Sequence, residues 1–384
     1  MTGPGDTRTT RKMDATPAEI PAETPIRSGF FQPAEVHVFR LSPLGVLATS
    51  LILFVLVYGF YVLVAETTNG PGLFEFSETG QALLTRVAWI AFVLSLIFTA
   101  GIAFSETGRR LWEMEADDLS RALGETGRHA ALDLQKGIPD AWRGRYLTAF
   151  LIGALAGLGF NAFMMLANGF SPLDYFNSVG LWFFIVSPFL YGIGFRAGVD
   201  VARESQTIKT LIRDHLTVDL FKLDALQVFG RIGLRAARTW MIMAAIILLF
   251  LINPNAPDQL FAADQLAMTI PVVGASVLGG LFLLASTLHP VHTKIQAAKR
   301  AELDRVHTEM QTMRDKALAG NAEAASALAG YTDYEIWVNN LPEWPVSAGI
   351  TTRFSLYILL PVIPIIGSYV FENLADQLVS GGSL

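Results

Sequence analysis

Seven long apolar runs divide the chain, and polar segments separate each run from the next. The runs cover residues 42–65, 83–104, 147–167, 179–201, 232–252, 266–288 and 351–371. A hydrocarbon core about 30 Å thick is crossed by roughly 20 helical residues, so runs of this length can span a bilayer. The pattern predicts an all-α, polytopic membrane protein with about seven transmembrane helices.

Three arginines lie at the start of the fifth run, with Arg231 directly before it and Arg235 and Arg238 inside it. Its charge-free part, residues 239–252, is short for a full crossing, so the run spans the membrane only if the arginine end is helical. Spacings of four and three place the arginines on one helix face, and Trp240 follows as an interfacial aromatic residue. We expect the three side chains to contact anionic lipid as topological anchors. A cationic vestibule or a regulatory lipid site is the alternative.

Composition supports the membrane assignment, since 52% of the residues are hydrophobic and 16% are charged, against roughly a quarter charged in soluble domains. Lys and Arg concentrate in the N-terminal tail and around the segments after the second, fourth and sixth runs, with Arg86 as the exception. The positive-inside rule then predicts a cytoplasmic N-terminus and an outer C-terminus in a cell (inner) membrane. The absence of cysteine excludes disulfides and thiolate chemistry.

Four regions follow from these patterns. Residues 1–41 are expected to form a disordered cytoplasmic tail and an interfacial lead-in, because the segment TPAEIPAETP and its surroundings cannot bury enough apolar surface. Residues 42–289 form a predicted six-helix bundle with cytoplasmic helical loops. A cytoplasmic helical hairpin is predicted for residues 290–345. The seventh transmembrane helix and a short outer tail complete the chain at residues 346–384.

The predicted αα-hairpin carries a regular apolar seam. Leu303, Val306, Met310 and Met313 recur at spacings of three and four, which is the spacing of a short coiled-coil seam. Residues 319–321 suit a turn before a second helix. The seam either packs within the protein or presents a docking surface to a partner protein, and both interpretations remain open.

Polar chemistry inside the runs is sparse. Ionisable residues at mid-membrane depth usually indicate proton relays or coupled ions, and we find none well inside a run. Asn161 suits an interhelical hydrogen bond or a permeation site. Pro361 and Pro364 should kink or break the seventh helix, because they leave backbone carbonyls without partners.

Catalytic signatures are also missing, since Walker A, HExxH and GxSxG motifs do not occur. We therefore expect no enzymatic activity, cofactor, metal ion or nucleic-acid partner. The sequence favours a membrane-anchored signalling or assembly component that docks partners through cytoplasmic helices. A homo-oligomeric ion channel or pore is the alternative, and a transporter is the third. The expected partners are membrane lipids, a protein at the hairpin, and further copies of the chain.

Overall fold

The computed structural model describes residues 29–33, 36–68, 72–76, 82–133, 137–253, 255, 263–364 and 366–367. The predicted disordered tail up to residue 28 and the whole predicted outer tail after residue 371 lie outside these ranges. The described part is helical, with helices α1 (Val36–Leu41), α2 (Val46–Thr67), α3 (Arg86–Asp133), α4 (Arg143–Ala167), α5 (Pro172–Phe176), α6 (Gly180–His215), α7 (Gln227–Leu248), α8 (Ala263–Leu318), α9 (Ala322–Asn340) and α10 (Ala348–Ile358).

Two short antiparallel ribbons accompany the helices. In the first, β1 (Phe30–Phe31) pairs with β4 (Ile138–Pro139), which joins the N-terminal lead-in to the start of α4. In the second, β2 (Phe74–Phe76) pairs with β3 (Ala82–Leu84) ahead of α3.

Within the residues that the structure describes, six helical segments are long and apolar enough to cross a membrane, which agrees with an all-α membrane protein. They are Val46–Thr67, Arg86–Trp112, Asp140–Ala167, Gly180–His215, Leu223–Leu251 and Thr269–Leu318. In place of the seventh run, α10 and a 3₁₀ turn at Leu360–Val362 form the shorter apolar stretch Ala348–Val362. Residues 365 and 368–371 of that run lie outside the described residues, so a total of seven crossings stays a prediction.

Three helices are much longer than a membrane crossing requires. With 48, 36 and 56 residues, α3, α6 and α8 measure about 72, 54 and 84 Å at a rise of 1.5 Å per residue. Because about 30 Å suffices for the hydrocarbon core, each helix must continue into water. We call the parts beyond the membrane the helical extension, which comprises residues 113–133, 202–232 and 289–340. Within it, α3 turns at Gly124, whose φ of +68° favours glycine.

The helical extension has its own hydrophobic core, shared by four helices. Its buried side chains include Leu119 and Leu123 of α3, Ile208 and Ile212 of α6, Phe229 and Ile232 of α7, and Val291 and Ile295 of α8. In the membrane-spanning part, by contrast, many large apolar side chains point outward, as Leu47 of α2 and Phe282 of α8 do. This difference is expected, because water drives apolar groups inward whereas lipid tails solvate them. This core combines Val291 and Ile295 with residues that precede position 289, so it contains residues from both sides of the predicted boundary between residues 289 and 290. Helix α8 itself continues through that boundary at Pro290.

In the membrane-spanning part, α4 and α6 approach each other at glycines. A Cβ atom added to Gly153 would lie 2.4 Å from the Tyr191 carbonyl oxygen, and one added to Gly157 would lie 2.7 Å from that of Ser187. Small residues at this spacing let two backbones meet closely. The GxxxG pattern therefore serves packing within the chain.

The end of α7 farthest from the helical extension is tied to the start of α3. The Arg86 guanidinium donates hydrogen bonds to the carbonyl oxygens of Ile252 and Phe250 at 3.1 and 2.9 Å, and the Trp89 indole donates to Leu249 at 2.9 Å. Carbonyl oxygens at a helix end generally lack partners within the helix, although the Leu249 oxygen also accepts from the Ile252 backbone N–H at 3.2 Å. Arg86, the exception in the distribution of basic residues, therefore caps a helix end.

Candidate functional site

The arginines of the fifth run lie on α7, which begins at Gln227, so the arginine end is part of the helix. Arg235 lies between three helices. Its Nη1 is 2.5 Å from Glu115 Oε2 on α3, and its Nη2 is 2.9 Å from Glu204 Oε1 on α6. The guanidinium also lies over the Trp112 ring, 4.7 Å from the ring centroid. One cation thus connects α3, α6 and α7 where the helical extension begins.

Solvent access differs sharply among the three arginines. The side chains of Arg235, Glu115 and Glu204 are 9%, 13% and 27% exposed, so this group is largely buried. Arg231 pairs with Asp118 at the exposed edge. Arg238 is half-buried and makes no hydrogen bond or ion pair with any other described residue. The guanidinium of Arg235 is occupied inside the protein, and contact with anionic lipid stays a prediction for Arg231 and Arg238.

The buried position changes the acidity of Glu115. Burial raises the pKa of its carboxyl above the usual glutamate value, and the attraction of Arg235 offsets only part of that effect. The nearby Glu204 acts in the same direction as burial, because two carboxylates repel each other. Glu115 therefore takes up a proton more readily than an exposed glutamate does.

In the helical extension, α9 packs along α8. Lys299 Nζ donates to the carbonyl oxygen of Asn339 at 2.7 Å, and the Tyr334 hydroxyl donates to Glu302 Oε1 at 3.1 Å. His307 Nε2 lies 2.8 Å from Glu335 Oε1. Residues 299–307, in the second half of α8, thus meet residues 334–339 near the end of α9.

The predicted apolar seam lies on this part of α8. Val306 is buried, and the remaining members are half-buried, namely Leu303, Met310 and Met313. Since α9 packs along α8, the seam is covered in part within the chain. Its use by a partner protein stays a prediction.

Three stacked aromatic rings form a cluster that sequence reasoning missed, in which Phe221 and Trp337 are exposed and Tyr334 is half-buried. The Phe221 ring stacks on Trp337 with centroids 4.7 Å apart, and Trp337 stacks on Tyr334 at 5.5 Å. The ring planes lie within 23° of one another. We call Phe221, Tyr334 and Trp337 the aromatic face. Its only sequence signals were two aromatic residues three apart on α9 and a single phenylalanine in a polar connection.

The aromatic face is held in place by ordered structure. Leu216 and Leu220 are buried, and the Phe221 backbone N–H donates to Asp219 Oδ1 at 3.0 Å, which fixes the turn. The Phe221 side chain nevertheless remains 68% exposed. Because α6 runs about 24 Å farther than a 30 Å crossing needs, its end and Phe221 lie well beyond the depth of interfacial aromatic belts.

The intramembrane candidates make internal contacts. Buried Asn161 donates through Nδ2 to the carbonyl oxygens of Gly157 and Phe183 at 2.8 and 3.3 Å, and its Oδ1 accepts from the Tyr175 hydroxyl at 2.8 Å. These bonds connect α4, α5 and α6. Pro361 is buried in the 3₁₀ turn that follows α10, and Pro364 is half-buried just beyond it. The helix ends at Ile358, before the first proline.

No group of three or more His, Asp or Glu side chains in the described ranges could hold a metal ion. Comparison of the chain with protein-family models, with curated proteins and with solved structures finds no match. Any function must therefore be argued from the geometry of the protein itself.

Proposed function

We propose that this protein is a non-enzymatic integral membrane protein that anchors a signalling or assembly partner through its helical extension, on the cytoplasmic side. The observation that carries the proposal is the aromatic face, a stacked cluster exposed to water well beyond the membrane. Exposed Trp and Tyr side chains are enriched among the residues that dominate protein–protein binding energy. Large apolar groups held in water on a folded surface commonly mark interaction sites.

The helical extension presents this cluster on a folded support. The connection that carries Phe221 is anchored by Leu216 and Leu226, which belong to the core of the helical extension, and Tyr334 is fixed by its hydrogen bond to Glu302. A partner that binds here would not have to order these side chains first. Less of the binding free energy is then lost to ordering these side chains, which favours a docking role.

Point substitutions test this proposal without disturbing the core. We expect that Phe221→Ser and Trp337→Ser lose the proteins that co-purify with the wild-type chain from detergent extracts. A single central aromatic residue accounts for about 2 kcal/mol or more of binding energy when truncated. Ile336→Ser is the matched control, because Ile336 is exposed on the same helix but is not in the stack. Equal recovery of the same proteins by all four chains would refute the proposal.

The cytoplasmic placement rests on the basic residues, which flank the helical extension. The absence of cysteine allows a direct test with single substitutions. In intact cells, a membrane-impermeant maleimide should label Leu173→Cys, on the exposed surface of α5, and should not label Ala319→Cys at the turn between α8 and α9. The reverse labelling would place the helical extension outside.

The pore and transporter alternatives gain little from the intramembrane contacts. The polar atoms of Asn161 are bonded to neighbouring helices, so this residue adds nothing to a permeation path. Reconstitution into planar bilayers tests the pore directly. Steady conductance that depends on the protein would favour the pore over the docking role.

A further inference from the structure

We propose that the start of α4 binds the headgroup of one anionic phospholipid, through Arg145 stacked on Trp142 and through the neighbouring Arg143. This inference does not depend on the docking role of the helical extension. The guanidinium carbon of Arg145 lies over the Trp142 ring, 4.7 Å from the ring centroid. Because a ring face attracts a cation, the guanidinium is held in place before a lipid arrives.

The charges of Arg143 and Arg145 are not neutralised within the described part of the protein. Both side chains are exposed, and neither guanidinium forms a hydrogen bond or an ion pair with another described residue. This includes Asp140, an exposed acidic residue three positions before Arg143. Arg235, by contrast, is taken up by two glutamates. The first turn of α4 contains no acidic residue, so the positive end of the helix dipole adds to the two arginines.

The two arginines lie at the depth of lipid headgroups. The apolar helical segment Asp140–Ala167 has 28 residues, which measure about 42 Å, whereas the hydrocarbon core is about 30 Å thick. The ends of this segment therefore reach into the headgroup regions. At the start of α4, the Tyr146 hydroxyl bonds to Asp200, just before α6 enters the helical extension. This end of α4 thus lies on the same side of the membrane as the helical extension.

An exposed strip of α4 continues from Arg145 toward the middle of the membrane. Thr148, Ile152 and Ala156 follow Arg145 at spacings of three and four, which places them on the same helix face, and all three are exposed. Gly159 continues the strip, and a Cβ atom added there would have no neighbour within 4 Å. Ala156 lies about 16 Å from Arg145 along the axis, which is about half of the hydrocarbon core. A lipid tail can therefore lie on this strip while the phosphate contacts Arg145, which favours a phospholipid over a soluble phosphate.

Native mass spectrometry of the full-length chain in detergent, titrated with phosphatidylglycerol or phosphatidylcholine, tests the site. We expect the first phosphatidylglycerol to bind more tightly than phosphatidylcholine. Arg145→Gln should weaken it about fivefold, since a basic residue near an anionic lipid surface contributes about 1 kcal/mol. Trp142→Leu should weaken it as well, although it removes no charge, because the guanidinium is no longer held. Arg353→Gln is the matched control, since Arg353 is an exposed arginine on α10 whose loss changes the net charge equally.

Three results would overturn the proposal. The first is equal affinity of the wild-type chain for the two lipids. The second is an equal loss of affinity in Arg145→Gln and Arg353→Gln, or an unchanged affinity in Trp142→Leu, because the lipid would then respond only to net charge. The third is competition by an equal concentration of glycerol 3-phosphate, which would assign the site to a soluble phosphate. Circular dichroism checks that each variant is folded. Recovery of partner proteins enters none of these outcomes, so they are independent of the proposed function.

Discussion

Replacing Arg235 is the sharpest test of how the helical extension is joined to the membrane-spanning part. The variant Arg235→Met keeps much of the side-chain length but removes the cation shared by Glu115 and Glu204. Removing one partner of a buried ion pair costs about 3–5 kcal/mol, because the remaining charge is left without compensation. The cation–π interaction with the Trp112 ring is lost as well.

The expected loss is smaller than that range, for two structural reasons. Glu204 is 27% exposed, so water can solvate its carboxylate once the cation is gone. Glu115 already has a raised pKa and can take up a proton. We therefore expect Arg235→Met to lower the free energy of unfolding by about 2–3 kcal/mol at neutral pH.

Reversible SDS titration in mixed micelles, followed by circular dichroism, measures this change. Arg238→Met is the matched control, since Arg238 lies one turn along the same helix and pairs with no other described residue. The double variant Arg235→Met/Glu115→Gln should recover part of the loss, because it also removes the buried anion. Equal unfolding midpoints for Arg235→Met and Arg238→Met would refute the reasoning.

The pH dependence has a definite sign. A carboxyl whose folded pKa is raised contributes stability that is fully present below its unfolded pKa of about 4.3 and lost as pH rises through the folded pKa. Burial is the main cause at Glu115 and persists in Arg235→Met. The deficit of the variant should therefore shrink as the solution is acidified toward that range. A deficit that grows on acidification would contradict the assigned role of Glu115.

Three further predictions concern other parts of the chain. Gly153→Ala should destabilise the protein by about 1–3 kcal/mol, because the added methyl group overpacks the contact between α4 and α6. Gly159→Ala should not, since Gly159 has open space around it. The same SDS titration compares the two variants, and equal unfolding midpoints would contradict this prediction. Asn161→Leu should cost about 1–3 kcal/mol by leaving a buried tyrosine hydroxyl without its acceptor, and a neutral effect would argue against that bond. The hydrogen bond from Gln296 lowers the pKa of the Glu343 carboxyl. The ionised Glu343 should therefore stabilise the fold above its unfolded pKa, and this stabilisation should be lost as pH falls through the folded pKa. Hydrogen exchange at residues 341–345 should rise on acidification in wild type and change less in Glu343→Gln.

Sequence patterns succeeded where the physics is local. Runs of about 20 apolar residues predicted membrane helices, and six such helices are found, because hydrocarbon requires every backbone group to bond within its own helix. The same reasoning placed the arginines at the start of the fifth helix, and α7 begins at Gln227. Helix length and amphipathic spacing are properties of neighbouring residues, and a sequence displays them directly.

The partners of individual side chains could not be predicted in this way, because they lie far away along the chain. Arg235 pairs with carboxylates 120 and 31 residues away along the chain, and no local signal distinguished it from Arg238. The aromatic face combines a connection after α6 with a helix more than 100 residues later. The seventh run forms α10 only as far as Ile358, where the helix gives way to a 3₁₀ turn that contains Pro361.

By itself, the sequence determined the solvent of each segment. Apolar runs are solvated by lipid, and helical segments of mixed polarity are solvated by water. Tertiary structure alone decided which charges are buried together, which glycines touch, and which aromatic rings remain exposed. The reason is that hydropathy and helix period sum over adjacent residues, whereas ion pairs and stacked rings depend on where distant helices cross.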